Sequence, residues 1–258
     1  MRIVTFASGS TGNCSLISDG GANILLDAGI SARRIVTCLA SCGISPQDLC
    51  GVLITHEHSD HISGLKVLET KYPELRVYAP SLICSALRRA EPSLEPSLNY
   101  IPVGEEFTLG GLCIKAFRTP HDASFSVGYR FEGSTTLAFA TDTGCITDEL
   151  LDGLTGADIA LIESNHDLEM LRSGPYPYPL KRRILSEHGH LSNKDCAKLA
   201  LHLAKSGTKH IILGHLSREN NIPELALRTV EHAVTGMDVS VSVAPMKEML
   251  TVDGDRDA

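Results

Sequence analysis

The sequence predicts an α/β domain of two stacked, mixed β-sheets with helices covering both outer faces. Three observations point there. Short apolar runs alternate with helical stretches from the first residues to about residue 90. Residues 98–140 are almost wholly strand-like, and from about residue 147 the alternation of helix and strand returns. No internal repeat or linker interrupts this pattern, so residues 1–258 read as a single domain.

The elements follow in order. Residues 3–7 form a first strand, and the glycine-rich turn Ser8-Gly9-Ser10-Thr11-Gly12-Asn13 leads to a second over 14–17. Residues 23–27, Asn-Ile-Leu-Leu-Asp, read as a buried strand ending in a carboxylate. Ser31 suits a helix N-cap, with Gly43 stopping that helix near residue 42. A strand over 52–55 precedes a helix over 62–72, then a strand over 76–79 and a helix over 81–89. Strands follow at 98–101, 106–109, 112–118, 126–131 and 136–140, with tight corners at Gly110-Gly111 and Gly133-Ser134. A helix over 147–154 and a strand over 159–163 come next. Short helices over 167–171 and 180–185 flank a Pro/Tyr-rich stretch. Ser192 caps a helix to about 205, followed by a strand over 210–214, a helix over 223–234 and a strand over 239–243. The acidic end, residues 252–258, is expected to fray.

Composition narrows the function. A chain of 258 residues that is 43% hydrophobic and 21% charged can bury a sizeable core. Its net charge of −8 argues against nucleic-acid binding by the whole surface, although a local basic patch beside metal ions is compatible with it. The N-terminus lacks the apolar core of a signal peptide, and no apolar run reaches the length of a membrane span. The expectation is a soluble cytoplasmic protein without a membrane partner. The 8 cysteines form no C-x-x-C pair and suit small buried side chains in a reducing compartment.

The chemistry concentrates in Thr55-His-Glu-His-Ser-Asp-His61, directly after the apolar run Val52-Leu53-Ile54. Side chains alternate along a strand, so His56 and His58 point the same way where the strand ends. Asp60 and His61, on the following turn, face the same point from the other side. Three imidazoles and a carboxylate are good donors for a divalent cation. Further candidates sit just beyond strands: His121 in Thr-Pro-His-Asp, Asp142 in Ala-Thr-Asp-Thr-Gly, and His215 in Leu-Gly-His-Leu-Ser. A lone histidine in such a place is usually ordinary loop material, so the weight lies in the set. His188 and His190 lie just before a helix N-terminus.

The ordered set His56-x-His58-x-Asp60-His61, His121, Asp142, His215 resembles the metallo-β-lactamase superfamily over nearly the whole chain. The resemblance implies an αββα sandwich with two divalent metal ions at the sheet edges, zinc foremost, with manganese or iron as options. His56, His58 and His121 would hold one ion; Asp60, His61 and His215 the other; Asp142 would bridge. Asp27 resembles the superfamily's buried aspartate behind the ligands, though a plain strand-end cap fits it equally. The spacing of 73 residues from Asp142 to His215 leaves no room for the inserted β-CASP domain. Ala7-Ser-Gly-Ser-Thr-Gly-Asn13, Glu163-Ser-Asn-His-Asp167 and Gly189-His-Leu-Ser-Asn193 are most similar to the compact WalJ/YycJ-type group, described as 5′-to-3′ DNA exonucleases.

That resemblance implies a phosphodiesterase acting on nucleic acid through an ion-activated water. Asp60 would orient the water, and His190 would protonate or hydrogen-bond the departing or a non-bridging oxygen. For substrate grip the candidates are Ser8, Ser10 and Asn13 in the glycine-rich turn, and Lys181 and Arg182 in the best local basic patch. Tyr176 and Tyr178 are candidates for stacking on a base. Two other readings stay open: a small-molecule ester, thioester, lactone or cyclic phosphodiester hydrolase, and a non-catalytic regulatory protein. The sequence leaves the oligomeric state open, with a dimer as one option.

Overall fold

The computed structural model describes residues 1–254 as two stacked sheets of seven strands each. The first sheet holds β1 (Arg2–Ala7), β2 (Cys14–Asp19), β3 (Ala22–Leu26), β4 (Gly51–Leu53), β5 (Val77–Ala79), β6 (Leu98–Tyr100) and β14 (Leu250–Asp253). Its order is β14-β1-β2-β3-β4-β5-β6, antiparallel up to β3 and parallel from there. The second holds β7 (Glu106–Leu109), β8 (Leu112–Arg118), β9 (Val127–Glu132), β10 (Thr136–Ala140), β11 (Ile159–Glu163), β12 (His210–Gly214) and β13 (Ser240–Val243). Here β7 to β10 pair antiparallel and β10 to β13 parallel.

Burial follows from that split. The central parallel strand β11 is buried at every position, whereas antiparallel β8 places Lys115 and Arg118 in solvent. The inner faces meet in one apolar cluster that includes Phe6, Leu16 and Ile24 from one sheet and Ile114, Tyr129 and Phe131 from the other. Helices α1 (Ala32–Ser41), α3 (Leu65–Lys71) and α4 (Ser81–Ala90) cover the first sheet, burying Ile35, Leu39, Leu68, Ile83 and Leu87. Helices α5 (Asp148–Leu154), α8 (Asn193–Lys205) and α9 (Pro223–Ala233) cover the second through a separate apolar layer. The expected sandwich is therefore observed, and Ser31 and Ser192 cap α1 and α8 as expected.

Some boundaries differ for physical reasons. The strand expected over 52–55 stops at Leu53 because Thr55 leaves the ladder to donate its N–H to the Asp27 carboxylate. The helix expected over 62–72 is split into α2 (Ser59–Ile62) and α3. Gly64 makes the break: its N–H reaches the Ala28 carbonyl, and a Cβ there would lie 2.0 Å from the Ile30 oxygen. The short helices expected over 167–171 and 180–185 are α6 (Leu168–Ser173), capped by Asp167, and α7 (Tyr178–Ile184). Val252 and Asp253, expected to fray, belong instead to β14, which pairs with β1 and completes the first sheet. Residues 255–258 lie outside the described residues.

The sheets are also tied by polar bonds next to the histidine motif. The Tyr129 hydroxyl donates to the Ile54 carbonyl at 2.7 Å, and the Val127 N–H to the Thr55 carbonyl at 3.1 Å. Tyr129 is completely buried, so its removal leaves a carbonyl without that donor. Tyr129→Phe is expected to lower unfolding stability by about 1–3 kcal/mol, read from chemical denaturation. A change below about 0.3 kcal/mol contradicts that cross-link.

Candidate metal centre

The centre forms where strands of both sheets end. Asp27 follows β3, the motif at 56–61 follows β4, Asp142 lies just past β10, and His215 follows β12. Asp27, Asp142 and His215 have φ of 59°, 55° and 55°, the only positive values among described non-glycine residues. Such a backbone costs roughly 1–3 kcal/mol per residue and is kept where the surroundings enforce it. Enforcement is visible around Gly29, where a Cβ would lie 1.6 Å from the Asp60 carbonyl oxygen. The motif turn thus rests directly on the segment after Asp27, and the Ala28 N–H donates to the His61 carbonyl at 2.7 Å.

Seven side chains converge. His58 Nδ1 is 3.3 Å from His121 Nε2, and the ring centroids of His56 and His58 are 4.6 Å apart. Asp60 Oδ2 lies 3.7 Å from His61 Nε2 and 3.4 Å from His215 Nε2. Asp142 stands between the groups: Oδ2 is 3.3 Å from His61 Nε2, and Oδ1 is 3.6 Å from His121 Nε2. A tetrahedral ion with bonds of about 2.0–2.1 Å needs donor atoms about 3.3 Å apart, which these spacings meet. Two atoms speak for absent partners. His56 Nε2 and Asp142 Oδ2 are buried without a hydrogen bond, although His61 Nε2 approaches Asp142 Oδ2. Buried polar atoms are rarely left unpaired, so this donor set fits divalent cations.

The rings are aimed from behind. His61 Nδ1 meets Asp27 Oδ2 at 2.7 Å, and Thr55 Oγ1 also donates to Asp27. His121 Nδ1 donates to the Gly189 carbonyl at 3.1 Å. Glu163 Oε1 accepts from both His190 Nδ1 and His215 Nδ1, each at 2.8 Å. A carboxylate only accepts, so each of these rings carries its proton on Nδ1 and leaves Nε2 free. Glu163 Oε2 is held by the Thr143 and Leu191 N–H groups. Without ions, burial would lower His61, but the Asp27 and Asp142 charges overcome it and lift its pKa to about 10. Burial would raise Glu163, yet the His190 charge and the hydrogen bonds from both rings hold it at about 2. Burial, followed by the charge of His61, pushes His56 well below the usual imidazole value.

The remaining sequence candidates fall in different places. His190 stands at the cluster's edge, its ring 5.0 Å from that of His121. Ser10 lines the open cleft of about 250 Å³ above the cluster. Ser8 lies behind it, its hydroxyl accepting the His215 N–H at 2.8 Å. Asn13 Nδ2 is 3.0 Å from His61 Nε2, and its Oδ1 takes the Gly9 N–H. The N–H groups of Gly12 and Asn13 are bonded to Gly9 and Asp60 carbonyls, so this part of the turn braces the motif. Lys181 turns away to the Arg172 carbonyl at 2.7 Å and Arg182 is exposed, whereas Arg183 lines the cleft. His166 is buried with both ring nitrogens unpaired, and burial lowers its pKa to about 4. Glu163 was missed as an orienting group. Its signal was present: like Asp27, it is a carboxylate at the end of an apolar run.

Residues 22–216 match the beta-lactamase superfamily domain. The chain belongs to that superfamily. It is 41% identical to the Exodeoxyribonuclease WalJ of Streptococcus pneumoniae serotype 2, over 92% of this chain and 89% of that relative. It is 40% identical to the Exodeoxyribonuclease YycJ of Bacillus anthracis, over 91% and 89%. The fold of Zn(2+)-bound PqqB from Methylobacterium extorquens matches with a TM-score of 0.74 at 19% identity, over 98% of this chain and 100% of that one. The superfamily makes this chain a metal-dependent hydrolase and implies divalent ions, for which the cluster supplies donors. No helix among the described residues is long and apolar enough to cross a membrane.

Asp27→Asn replaces one acceptor oxygen facing His61 or Thr55 by a donor. It is expected to weaken metal retention about 10–100-fold, read by competition with a chelator, with the circular dichroism spectrum preserved. Unchanged retention contradicts a positioning role for Asp27.

Proposed function

We propose that this chain is a metal-dependent exodeoxyribonuclease that degrades DNA from the 5′ end using two zinc ions. The observation that carries it is near-full-length identity of 40–41% to two exodeoxyribonucleases, together with a convergent donor set. His56, His58 and His121 hold one ion, Asp60, His61 and His215 the other, and Asp142 lies between them. Imidazole-rich sites favour zinc, with manganese or iron as the competing choices. Divalent ions supply Lewis acidity, lowering the pKa of water and offsetting charge on the phosphate.

The chain's own groups do the rest. The Asp60 side chain is 22% exposed against 3% for Asp142, so Asp60 is the carboxylate that can orient an attacking water in the cleft. Water attacks phosphorus and the phosphorus–oxygen bond to the departing strand breaks. His190 lines the cleft with Nδ1 held by Glu163, so in its doubly protonated form the proton on Nε2 is the one it gives, or shares in a hydrogen bond, to the departing oxygen. Burial works against its protonation, but Glu163 overcomes this and raises its pKa, keeping a proton available. The proposed compartment is the cytoplasm, where cysteines such as the buried, unpaired Cys14, Cys84 and Cys196 stay reduced.

The test is degradation of end-labelled single- and double-stranded DNA and RNA with added Zn²⁺ or Mn²⁺. Wild type is expected to shorten DNA from the 5′ end, and Asp60→Ala to lose at least about 100-fold in rate. If no nucleic acid is cut with either metal while small esters or thioesters are, a small-molecule hydrolase replaces this reading. Glu163→Gln is expected to lower kcat about 10–100-fold at little cost in KM, because it disturbs two rings and no substrate contact. A rise in KM at constant kcat assigns Glu163 a different task.

A further inference from the structure

One cation faces the cleft. Among the described residues lining it, Arg183 is the only lysine or arginine, set among Asp60, Asp142 and four imidazoles. Its Nε donates to Asp122 Oδ2, and Asp122 Oδ1 lies 3.4 Å from His121 Nε2. The pair therefore stands where the cleft lining meets His121, one of the candidate metal ligands. Both members are open to solvent, the Arg183 side chain being 54% and that of Asp122 29% exposed. Tyr176 lines the same wall, whereas Tyr178 is 72% exposed and does not.

An exposed ion pair of this kind contributes little to stability. The segment is also held without it. The His190 N–H bonds the Ile184 carbonyl at 3.0 Å, Gly189 receives His121 Nδ1, and Gly144 packs on the Glu187 and Gly189 backbone. Arginine's planar fork is suited to phosphate oxygens, and an aromatic face next to it suits a base. An anionic strand approaching the cleft meets no other lysine or arginine among the described residues that line it.

We propose that the Tyr176–Arg183 wall is the nucleotide-gripping subsite: Arg183 leaves Asp122 for a phosphate beside the scissile one, and Tyr176 stacks on the adjoining base. Asp122 then acts as an internal competitor that holds Arg183 at the rim until a strand displaces it. The proposal rests on the nuclease reading and names where that substrate is held.

The experiment uses the metal-loaded enzyme with two substrates, labelled single-stranded DNA and bis(p-nitrophenyl) phosphate, which carries one phosphate and no strand. Arg183→Ala is expected to raise KM for DNA about 10–100-fold and to make the log–log salt dependence shallower by about 0.7. The preference for DNA over the small diester, as a ratio of kcat/KM, falls with it. Asp122→Asn, which removes the competitor, is expected to move KM for DNA the other way. Tyr176→Ala is expected to raise it about 5-fold or more. Arg183→Lys, which keeps the charge and loses the fork, falls between wild type and Arg183→Ala. The proposal is overturned if Arg183→Ala and Asp122→Asn shift KM in the same direction, or if the DNA preference and salt slope stay at wild-type values. A wild type that turns over the diester but cuts no DNA removes the nuclease reading itself, and the subsite with it.

Discussion

The Asp142 carboxylate is the point on which both sheets close. It sits 3% exposed, in a left-handed backbone conformation, within 3.3–3.6 Å of nitrogens from His61, His121 and His215. A buried charge is tolerated only when its surroundings answer it. Here the answer comes from residues of both sheets, so the strand ends cannot slide relative to one another without leaving a buried carboxylate unanswered. Asp27 behind His61 and Glu163 behind His190 and His215 repeat the arrangement on either side. Asp27 and Glu163, carboxylates at or just past strand ends, thus set the tautomers and directions of His61, His190 and His215.

Much of this was legible in the chain. The central parallel strands β4, β10, β11 and β12 are nearly continuous apolar runs, and each helix start capped by Ser31 or Ser192 has a side-chain acceptor that sequence patterning finds. The motif at 56–61 was legible because four strong donors so close together have no apolar alternative. Other features depend on contacts remote in sequence. Gly64 splits a helix only because the backbone after Asp27 passes against it. β14 was hidden because an acidic end resembles a solvated tail, whereas its backbone pairs with β1 from the far end of the chain. Within Lys181-Arg182-Arg183 only the helix's rotation in the fold decides which residue faces the cleft, and it is Arg183. Glu163 could be seen as a strand-end carboxylate, but not which two rings it would serve.

Charge completes the account. A net charge of −8 and a cleft lined by the Asp60 and Asp142 carboxylates would repel a polyanion. Divalent ions reverse that balance locally, which is why a basic surface is unnecessary for a phosphate substrate. With ions bound, the buried unpaired atoms His56 Nε2 and Asp142 Oδ2 also gain partners. The site's polar groups make sense as a set once two cations stand among them, and are costly to bury otherwise.

The most direct measurement is anomalous X-ray scattering at metal absorption edges from crystals of the purified protein. The account predicts two ions, one among His56, His58 and His121 and one among Asp60, His61 and His215, both within about 2.0–2.2 Å of Asp142 oxygens. Finding no ion there, or an ion bound away from Asp142, would contradict it.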